Sequence, residues 1–211
     1  MKITKFGHSC LLVEEKETRI IIDPGSFSSL QNGVQNIDAV LISHEHQDHL
    51  NIFSLQNIIK NNPQAIIYSN KTVAEKLSIE NIPCLVLESN QIVFIKDVSV
   101  EICGSKHAEI LPTIPLIQNS GFLIAGRLFF PGDAFTVPNK SVEILALPVC
   151  APWSKLSEVI SYLKKVKPKI AFPVHDAILN IKRLYYHWPE QTMLEIGGGW
   201  RVIEEGQCLE F

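Results

Sequence analysis

The chain opens with short aliphatic runs that are separated by polar turns. Such runs, bounded by Gly, Ser and charged residues, predict strands rather than helices. The third run ends on an acid, Asp23, after which Ser, Gln, Asn and Gly predict a surface loop over residues 26–36. The predicted strands cover residues 1–6, 10–13, 19–22 and 37–42. The first three predict an antiparallel meander.

Helix-like and strand-like patterns alternate in the rest of the chain. Asn51 and Ser154 each precede apolar residues at helical spacing, which predicts helix N-caps at both. Residues 108–118 contain two prolines and predict an irregular flap beside a site. The predicted helices cover 53–59, 71–77, 154–166 and 178–187, the strands 65–68, 84–87, 142–147 and 170–174, and the hairpins 91–103, 121–130 and 197–211. This doubled order predicts an α+β fold of two sheets covered by helices.

Composition narrows the class of protein. The 211 residues fit a single domain over 1–211, and 46% hydrophobic residues supply a core. A net charge of −3 without a long basic run argues against nucleic acid as a partner, but it is compatible with a small anionic substrate. Five cysteines without a CxxC pair indicate a reducing compartment. Without a cleavable signal or a membrane span, we expect a soluble cytoplasmic protein that binds no membrane; a homo-oligomer is compatible with the sequence.

A cluster of histidines follows the predicted strand over residues 37–42. His44, His46 and His49 are three of the seven histidines in the chain, and Asp48 lies among them. Imidazole nitrogen and carboxylate oxygen are common ligands of Zn²⁺, and four such groups on one strand-to-helix loop can converge on more than one ion. The alternative is a chance group of surface histidines. A low-complexity tract would lack the flanking strand and helix patterns.

Four more ligand-type residues come at or soon after predicted strands. They are Asp23, His107, Asp133 and His175. Each alone has an ordinary explanation, since an Asp beside Pro-Gly is a common turn former and a lone His is common at the surface. Sites in layered folds, however, are built from loops at one end of the strands. The four residues are therefore expected to join the histidine cluster in one groove.

These positions resemble the metallo-β-lactamase superfamily, whose H-x-H-x-D-H motif stands here at His44–His49. His107, Asp133 in its Gly-Asp setting, and His175 match the later family positions in order. The resemblance covers essentially the whole chain. The opening Gly-His-Ser and Ile-Ile-Asp-Pro motifs are similar to those of the L-ascorbate-6-phosphate lactonase-like branch. The fold that the resemblance implies is a four-layer αββα sandwich.

The resemblance also implies two divalent metal ions. One would be held by His44, His46 and His107, and the other by Asp48, His49 and His175. Asp133 would bridge the two ions, and Asp23 would support the ligand loop. Zn²⁺ is expected, with Mn²⁺ or Fe²⁺ as alternatives, because mixed His and carboxylate ligands accept all three. Two such ions acidify a shared water, so no Ser or Cys nucleophile is needed, and Asp48 or Asp133 would pass the proton to the leaving group.

His8 lies in the Gly-His-Ser turn at the end of the first predicted strand. Similar hydrolases of the lactonase-like branch place a histidine there near the groove, where it would contact the substrate or support a metal ligand. The alternative is a histidine whose polar atoms are satisfied within the sheet edge. His187, on a predicted helix, is interpreted as structural.

The predicted activity is that of a dinuclear metal-dependent hydrolase for a small ester, lactone or phosphodiester. One alternative is a metal-binding or sensing protein that has lost turnover. Another is a nuclease of the superfamily, which the charge and the lack of room for an inserted nucleic-acid-binding domain oppose. A di-iron oxidoreductase is disfavoured, since that variant typically carries Glu where His46 stands.

Three segments depart from the family pattern. Ala134 stands where Thr commonly follows Gly-Asp, and residues 148–153 lack the glycine-rich form of the lactonase-like branch. His175 is followed by Asp-Ala-Ile-Leu over residues 176–179 instead of the usual aromatic or Thr residues. These changes leave the metal ligands intact but alter the substrate pocket. Ascorbate phosphate is therefore not predicted as the substrate.

Overall fold

Two seven-stranded sheets form the centre of the protein, in a computed structural model that describes residues 1–211. The helices are α1 (Ile52–Asn61), α2 (Lys71–Ile79), α3 (Leu156–Val166) and α4 (Arg183–Glu195). The strands of the first sheet are β1 (Lys2–Gly7), β2 (Cys10–Glu15), β3 (Thr18–Ile22), β4 (Ala39–Leu41), β5 (Ile66–Ser69), β6 (Leu85–Val86) and β14 (Cys208–Glu210). Those of the second are β7 (Ile92–Ile95), β8 (Val98–Cys103), β9 (Gly121–Ile124), β10 (Leu128–Phe130), β11 (Ile144–Pro148), β12 (Ile170–Val174) and β13 (Gly199–Trp200).

The two sheets share one internal plan. In the first, β14, β1, β2 and β3 are antiparallel neighbours, and β3 to β6 are parallel. In the second, β7 to β10 are antiparallel, and β10 to β13 are parallel. Each sheet therefore has an antiparallel half and a parallel half. This explains the doubled order of elements in the sequence, for which no repeat can be aligned.

Three separate apolar layers show how the sheets and helices stack. The alternation within β3 is an example, because Ile20 and Ile22 pack between the sheets and Ile21 packs on the opposite face. That outer face is covered by α1 and α2, through residues such as Leu55 and Val73. The outer face of the second sheet is covered by α3 and α4. The four-layer αββα sandwich is thereby confirmed.

The predicted closing hairpin over residues 197–211 is wrong. Its first part forms β13, which pairs in parallel with β12 in the second sheet. Its second part forms β14, which pairs antiparallel with β1 in the first sheet. The tail crosses from one sheet to the other, because each sheet has an open edge where a short strand gains hydrogen bonds. A local pattern of alternating residues cannot distinguish this pairing from a hairpin.

Two helix starts also differ from the prediction. Asn51 caps α1 as expected, accepting a hydrogen bond from the Ser54 N–H at 2.9 Å. Ser154, however, does not cap α3; its hydroxyl accepts from the Ala151 N–H, and the Glu158 carboxylate accepts from the N–H of Lys155 at the helix start. The helix predicted over 178–187 begins instead at Arg183 and runs through Pro189 to Glu195. The earlier residues follow His175 in turns, where the loop chemistry overrides helical spacing.

The loop predicted over residues 26–36 contains a short 3-10 helix at Leu30–Gly33. Within it, the Gln31 side chain is buried and donates hydrogen bonds to the Gly25 and Ser28 carbonyls. It also donates to the Ser54 hydroxyl on α1 at 3.2 Å, which fixes the loop against this helix. None of the helices is long and apolar enough to cross a membrane.

Strand direction places the site at one edge of the sandwich. In the first sheet, β1 and β3 both run antiparallel to β2, and β4 is parallel to β3. In the second, β8 and β10 both run antiparallel to β9, and β12 runs parallel to β11, which is parallel to β10. In the first sheet β1, β3 and β4 thus point the same way, and in the second so do β8, β10, β11 and β12. The loops that follow them emerge at the same edge of their sheet.

A buried ion pair ties β1 to the loop after β12. The Lys5 ammonium donates to Asp176 Oδ1 at 2.8 Å and to the Pro173 carbonyl at 3.0 Å. Asp176 Oδ2 accepts from the Tyr186 hydroxyl and lies 3.2 Å from the Lys182 amine. Although burial alone raises the pKa of a carboxyl, the Lys5 ammonium holds the pKa of Asp176 below its usual value. This network fixes the backbone beside the site.

Substituting Lys5→Met should lower the free energy of unfolding by about 3 kcal/mol, because it leaves the buried Asp176 carboxylate without its closest cation. Urea unfolding followed by circular dichroism measures the change. Lys2→Met is the matched control, since Lys2 lies on the same strand but is exposed, and it should cost less than about 1 kcal/mol. Equal losses in the two variants would contradict a stabilising role for the pair.

Candidate metal centre

Nine sequence-predicted residues meet at the edge where these strands end. His8, Asp23 and the segment His44–His49 follow β1, β3 and β4 in the first sheet. His107, Asp133 and His175 follow β8, β10 and β12 in the second. The structure thus brings together all the residues that the sequence suggested for this site, across the gap between the two sheets. His187 lies outside the cluster, on the exposed face of α4.

The Asp23 carboxylate organises the histidine loop from beneath. It accepts hydrogen bonds from the Ser43 N–H at 2.7 Å, from the Ser43 hydroxyl at 2.6 Å and from His49 Nδ1 at 2.6 Å. Asp23 is fully buried, so these three donors replace the water that the carboxylate lost. A Cβ on Gly25 would lie 1.7 Å from the Asp48 carbonyl oxygen, which explains why glycine stands there.

His49, His107 and His175 share one hydrogen-bonding pattern. The Nδ1 atoms of His107 and His175 lie 2.6 Å from the Ala108 and Cys150 carbonyl oxygens, and that of His49 contacts Asp23. Because a carbonyl or carboxylate oxygen can only accept, each Nδ1 carries the proton in the neutral ring. Each Nε2 then presents a lone pair, and all three Nε2 atoms are buried without a hydrogen-bond partner. Histidines that ligate metals are typically held in this way.

His44 and His46 complete this side of the cluster. The Ser43 hydroxyl donates to Asp23 and therefore accepts from His44 Nδ1 at 2.9 Å. His44 Nε2 thus also carries a lone pair, which accepts a hydrogen bond from His46 Nδ1 at 3.1 Å. His44 is buried, whereas His46 is half-buried at the mouth. Two ring nitrogens at this separation can act as ligands of one cation.

Asp133 lies between the histidines of the two sheets. Its Oδ1 is 3.2 Å from His49 Nε2, and its Oδ2 is 3.1 Å from His175 Nε2 and 3.5 Å from His107 Nε2. The Asn119 side chain accepts from the Asp133 backbone N–H at 3.0 Å, and the Trp153 indole N–H donates to Oδ2 at 2.8 Å. The carboxylate is therefore oriented from both backbone and side chain.

The donor atoms form two main groups in which all members lie within 4.8 Å of one another. The groups are His44, His46, His107 and Asp133, and His8, Asp48, His49 and His175. Four buried atoms without partners belong to them, the Nε2 atoms of His49, His107 and His175 and Oδ1 of Asp133. Buried polar atoms rarely lack a partner, so this concentration of unpaired lone pairs fits bound cations.

The charges in the cluster favour cation binding. Burial lowers the pKa of His44 and His46, so both rings are neutral at pH 7 and can act as ligands. Against the effect of burial, neighbouring histidines hold the pKa of Asp48 and Asp133 well below the usual range. Their carboxylates in turn raise the pKa of His175 to about 9, although burial opposes this, so a bound metal would displace the proton from Nε2 of this ring. Two carboxylates thus retain charge in a buried site.

His8 is placed differently from the other histidines. Its Nδ1 accepts from the Ala177 backbone N–H at 3.3 Å, so the proton of the neutral ring is on Nε2. Nε2 lies 3.2 Å from Asp48 Oδ2 and donates to it. Burial lowers the pKa of His8 to about 4, which keeps the ring neutral. Both ring nitrogens are therefore already engaged, and this geometry supports a role in orienting Asp48.

Left-handed backbone recurs at the site. His8, Asp23 and His175 have φ values of 43°, 46° and 59°. Residues other than glycine rarely adopt such φ values. Those that do are concentrated at functional sites, where the surrounding fold holds the backbone in this conformation. Here the sharp turn directly after β1, β3 and β12 directs the side chain into the cluster.

Sequence reasoning missed three residues that support the ligands. Trp153 and Asn119 orient Asp133, and Ser43 links His44 to Asp23. In the sequence, residues 148–153 stand out only as a departure from the family pattern. Ser43 directly precedes the histidine motif, which was a usable signal. Nothing in the local sequence of Asn119, 14 residues before its partner, indicated its role.

Comparison with known proteins identifies the family. The model of the β-lactamase superfamily domain matches residues 2–175. The chain therefore belongs to the metallo-β-lactamase superfamily. Protein Rv0786c of Mycobacterium tuberculosis is 38% identical over 193 residues, which cover 88% of this chain and 90% of that protein.

Another relative and one solved structure also match most of the chain. A UPF0173 metal-dependent hydrolase of Nanoarchaeum equitans is 26% identical over 90% of this chain and 86% of its own length. Among solved structures, the metallo hydrolase Igni18 of Ignicoccus hospitalis is similar in fold, with a TM-score of 0.77, 21% identity, and coverage of 100% of this chain and 98% of that one. The more specific resemblance to ascorbate-6-phosphate lactonases is not confirmed by these similarities.

Proposed function

We propose that the protein is a dinuclear metal-dependent hydrolase that cleaves a small ester, lactone or phosphodiester. The observation that carries the proposal is the set of buried Nε2 lone pairs from both sheets, each fixed by a hydrogen bond at Nδ1 and facing the Asp133 carboxylate. A purely structural cluster would instead pair these atoms with protein donors and acceptors.

The ligand assignment follows the two groups of donor atoms. His44, His46 and His107 would hold one ion, Asp48, His49 and His175 the other, and Asp133 would bridge them. Two divalent ions held by these residues would supply the Lewis acidity that activates water and stabilises negative charge on the substrate. Zn²⁺ is the favoured metal, and Mn²⁺ and Fe²⁺ are compatible with the same ligands.

The two carboxylates differ in their suitability for moving a proton. Asp133 is almost fully buried, and its oxygens face Trp153 and the histidines. The Asp48 side chain is 20% exposed at the mouth of the site, while its Oδ2 is held by His8. Asp48 can therefore reach a leaving group, and we assign it the transfer of the proton. Asp133 instead holds its position between the ligand histidines.

A metal-binding or sensing protein without turnover is the alternative that the altered pocket favours. Ala134 and residues 148–153 depart from the family pattern, and they adjoin Asp133 and include Trp153. A nuclease is less compatible, because 22 acidic residues exceed the 19 basic ones. A small-molecule substrate and a cytoplasmic location remain predictions.

Metal-dependent turnover tests the proposal directly. The purified protein, stripped with a chelator and then reloaded with Zn²⁺ or Mn²⁺, should hydrolyse at least one member of a panel of bis-p-nitrophenyl phosphate, aryl esters and lactones. Asp48→Asn keeps an amide oxygen as a ligand, so at saturating metal it should still hold both ions, but kcat should fall by about a hundredfold or more because the group that accepts and passes on the proton is lost. If protein with two bound ions turns over no panel member, the sensing alternative is favoured.

A further inference from the structure

A groove leads away from the candidate metal centre between the 108–118 flap and the start of α3. Its volume is about 470 Å³, which is the size of a small-molecule site. Ala108 and Ile110 form the wall on the flap side, and Phe135, Pro152 and Trp153 form the opposite wall. Charged side chains of both signs, from Glu109, Lys155 and Glu158, also line it. The groove therefore combines apolar and aromatic side chains, namely Ile110, Phe135 and Trp153, with a larger polar surface of mixed charge.

Both walls are bonded directly to candidate metal ligands. The Ala108 carbonyl oxygen lies 2.6 Å from His107 Nδ1, and the Trp153 indole N–H donates to Asp133 Oδ2 at 2.8 Å. The rings of Trp153 and Phe135 are in edge contact, with centroids 5.0 Å apart. When the reacting bond of a substrate lies at the metal centre, the group next to that bond would therefore lie in this groove.

The flap presents apolar side chains that are about half-exposed. Leu111, Ile114 and Leu116 are 53%, 46% and 52% exposed. The segment is nevertheless anchored, because the His107 N–H donates to the Ile117 carbonyl at 3.0 Å and the Ile114 N–H donates to the Leu111 carbonyl at 3.0 Å. A narrow slot beside His46 and His107 is lined by flap aliphatics that include Ile114 and Leu116. An ordered apolar loop next to metal ligands is suited to cover an apolar part of a ligand.

We infer that the substrate carries an apolar acyl or alkyl group next to the scissile bond, and that this group binds between Ile110 on the flap and Trp153 with Phe135 on the opposite wall. This inference rests on the proposed function, since it names the substrate class of that site. Short polar substrates would leave the walls hydrated and would bind weakly.

Binding of a homologous series of carboxylates, the products of ester cleavage, tests the inference without turnover. Isothermal titration calorimetry of metal-loaded protein with straight-chain carboxylates from acetate to decanoate holds the head group constant. Each added methylene should lower Kd by two- to fourfold, roughly the transfer free energy of one CH₂, until the groove is filled. The dependence of Kd on chain length thus measures binding in the groove, and the affinity for acetate measures binding at the metal centre.

Two flap variants and one control locate the effect. Ile110→Ser and Leu116→Ser should flatten the dependence on chain length, because each removes apolar surface from the groove or its slot. Ile79→Ser, at the exposed end of α2, is the matched control and should leave it unchanged. Thermal melts should be similar for all three.

The inference is overturned if Kd does not change with chain length, if no carboxylate binds, or if both flap variants retain the wild-type dependence. Failure of the proposed function gives a different result. In that case no panel substrate is hydrolysed, whereas binding can still strengthen with chain length.

Discussion

Replacing His46 with alanine should lower the metal content of the purified protein from about two ions per chain to about one, and it should reduce turnover by about a hundredfold or more. His46 Nδ1 lies 3.1 Å from His44 Nε2, and both belong to one group of donor atoms. Removing a ligand should cost at least as much as removing a residue that supports one, which typically weakens metal binding by about 10- to 100-fold. Elemental analysis after dialysis measures the content.

His187→Ala is the matched control for this experiment. It also removes one imidazole, but from the exposed face of α4, outside every group of donor atoms. His46 is half-buried at the mouth, so its loss should leave the fold intact. Unchanged metal content in His46→Ala would refute the ligand assignment. Equal losses in both variants would indicate adventitious binding to surface histidines.

Asp23→Asn should weaken metal binding by about 10- to 100-fold and lower the free energy of unfolding of the metal-free protein by about 2–4 kcal/mol. The amide would turn its NH₂ toward a donor, either Ser43 or His49, where the carboxylate now accepts three hydrogen bonds. Asparagine tolerates the φ of 46° at this position, so the backbone is not the cause. Chelator competition and urea unfolding measure the two effects.

Asp38→Asn provides the comparison for Asp23→Asn. Asp38 is only half-buried and accepts from the Arg19 N–H at 2.9 Å, away from the cluster. Its substitution should cost less than about 1 kcal/mol and leave metal affinity unchanged. If Asp23→Asn bound metal as tightly as wild type, Asp23 would be a structural residue only. The tautomer of His49 would then have to be fixed in some other way.

Local patterns determined the strands, most helices and the ligand loop. Aliphatic runs defined the strands at their correct places, and the helical spacing after Asn51 identified α1 and its cap. These features depend on short-range periodicity and side-chain chemistry, which the sequence contains directly. The H-x-H-x-D-H motif likewise indicated metal binding without any structure, because the ligand types and their spacing are local.

Only the tertiary structure decided how distant segments meet. The tail from residue 197 was predicted as a hairpin, yet its two strands lie in different sheets, because the choice of strand partner depends on which sheet edge is open. The sequence also could not show which ring nitrogen of each histidine carries the proton. His8 and His175 are both histidines after strands, but Ala177 donates to one ring and the Cys150 carbonyl accepts from the other.

The sequence by itself therefore determined which residues could bind metal and the class of fold that presents them. The structure decided which lone pairs are free at His49 and His175, because each depends on a hydrogen bond to a residue remote in sequence, Asp23 and Cys150 respectively. It also revealed Trp153 as a partner of Asp133 and as a wall of the groove. The local sequence specifies the types of ligand, whereas the orientation of each ligand depends on packing between the two sheets.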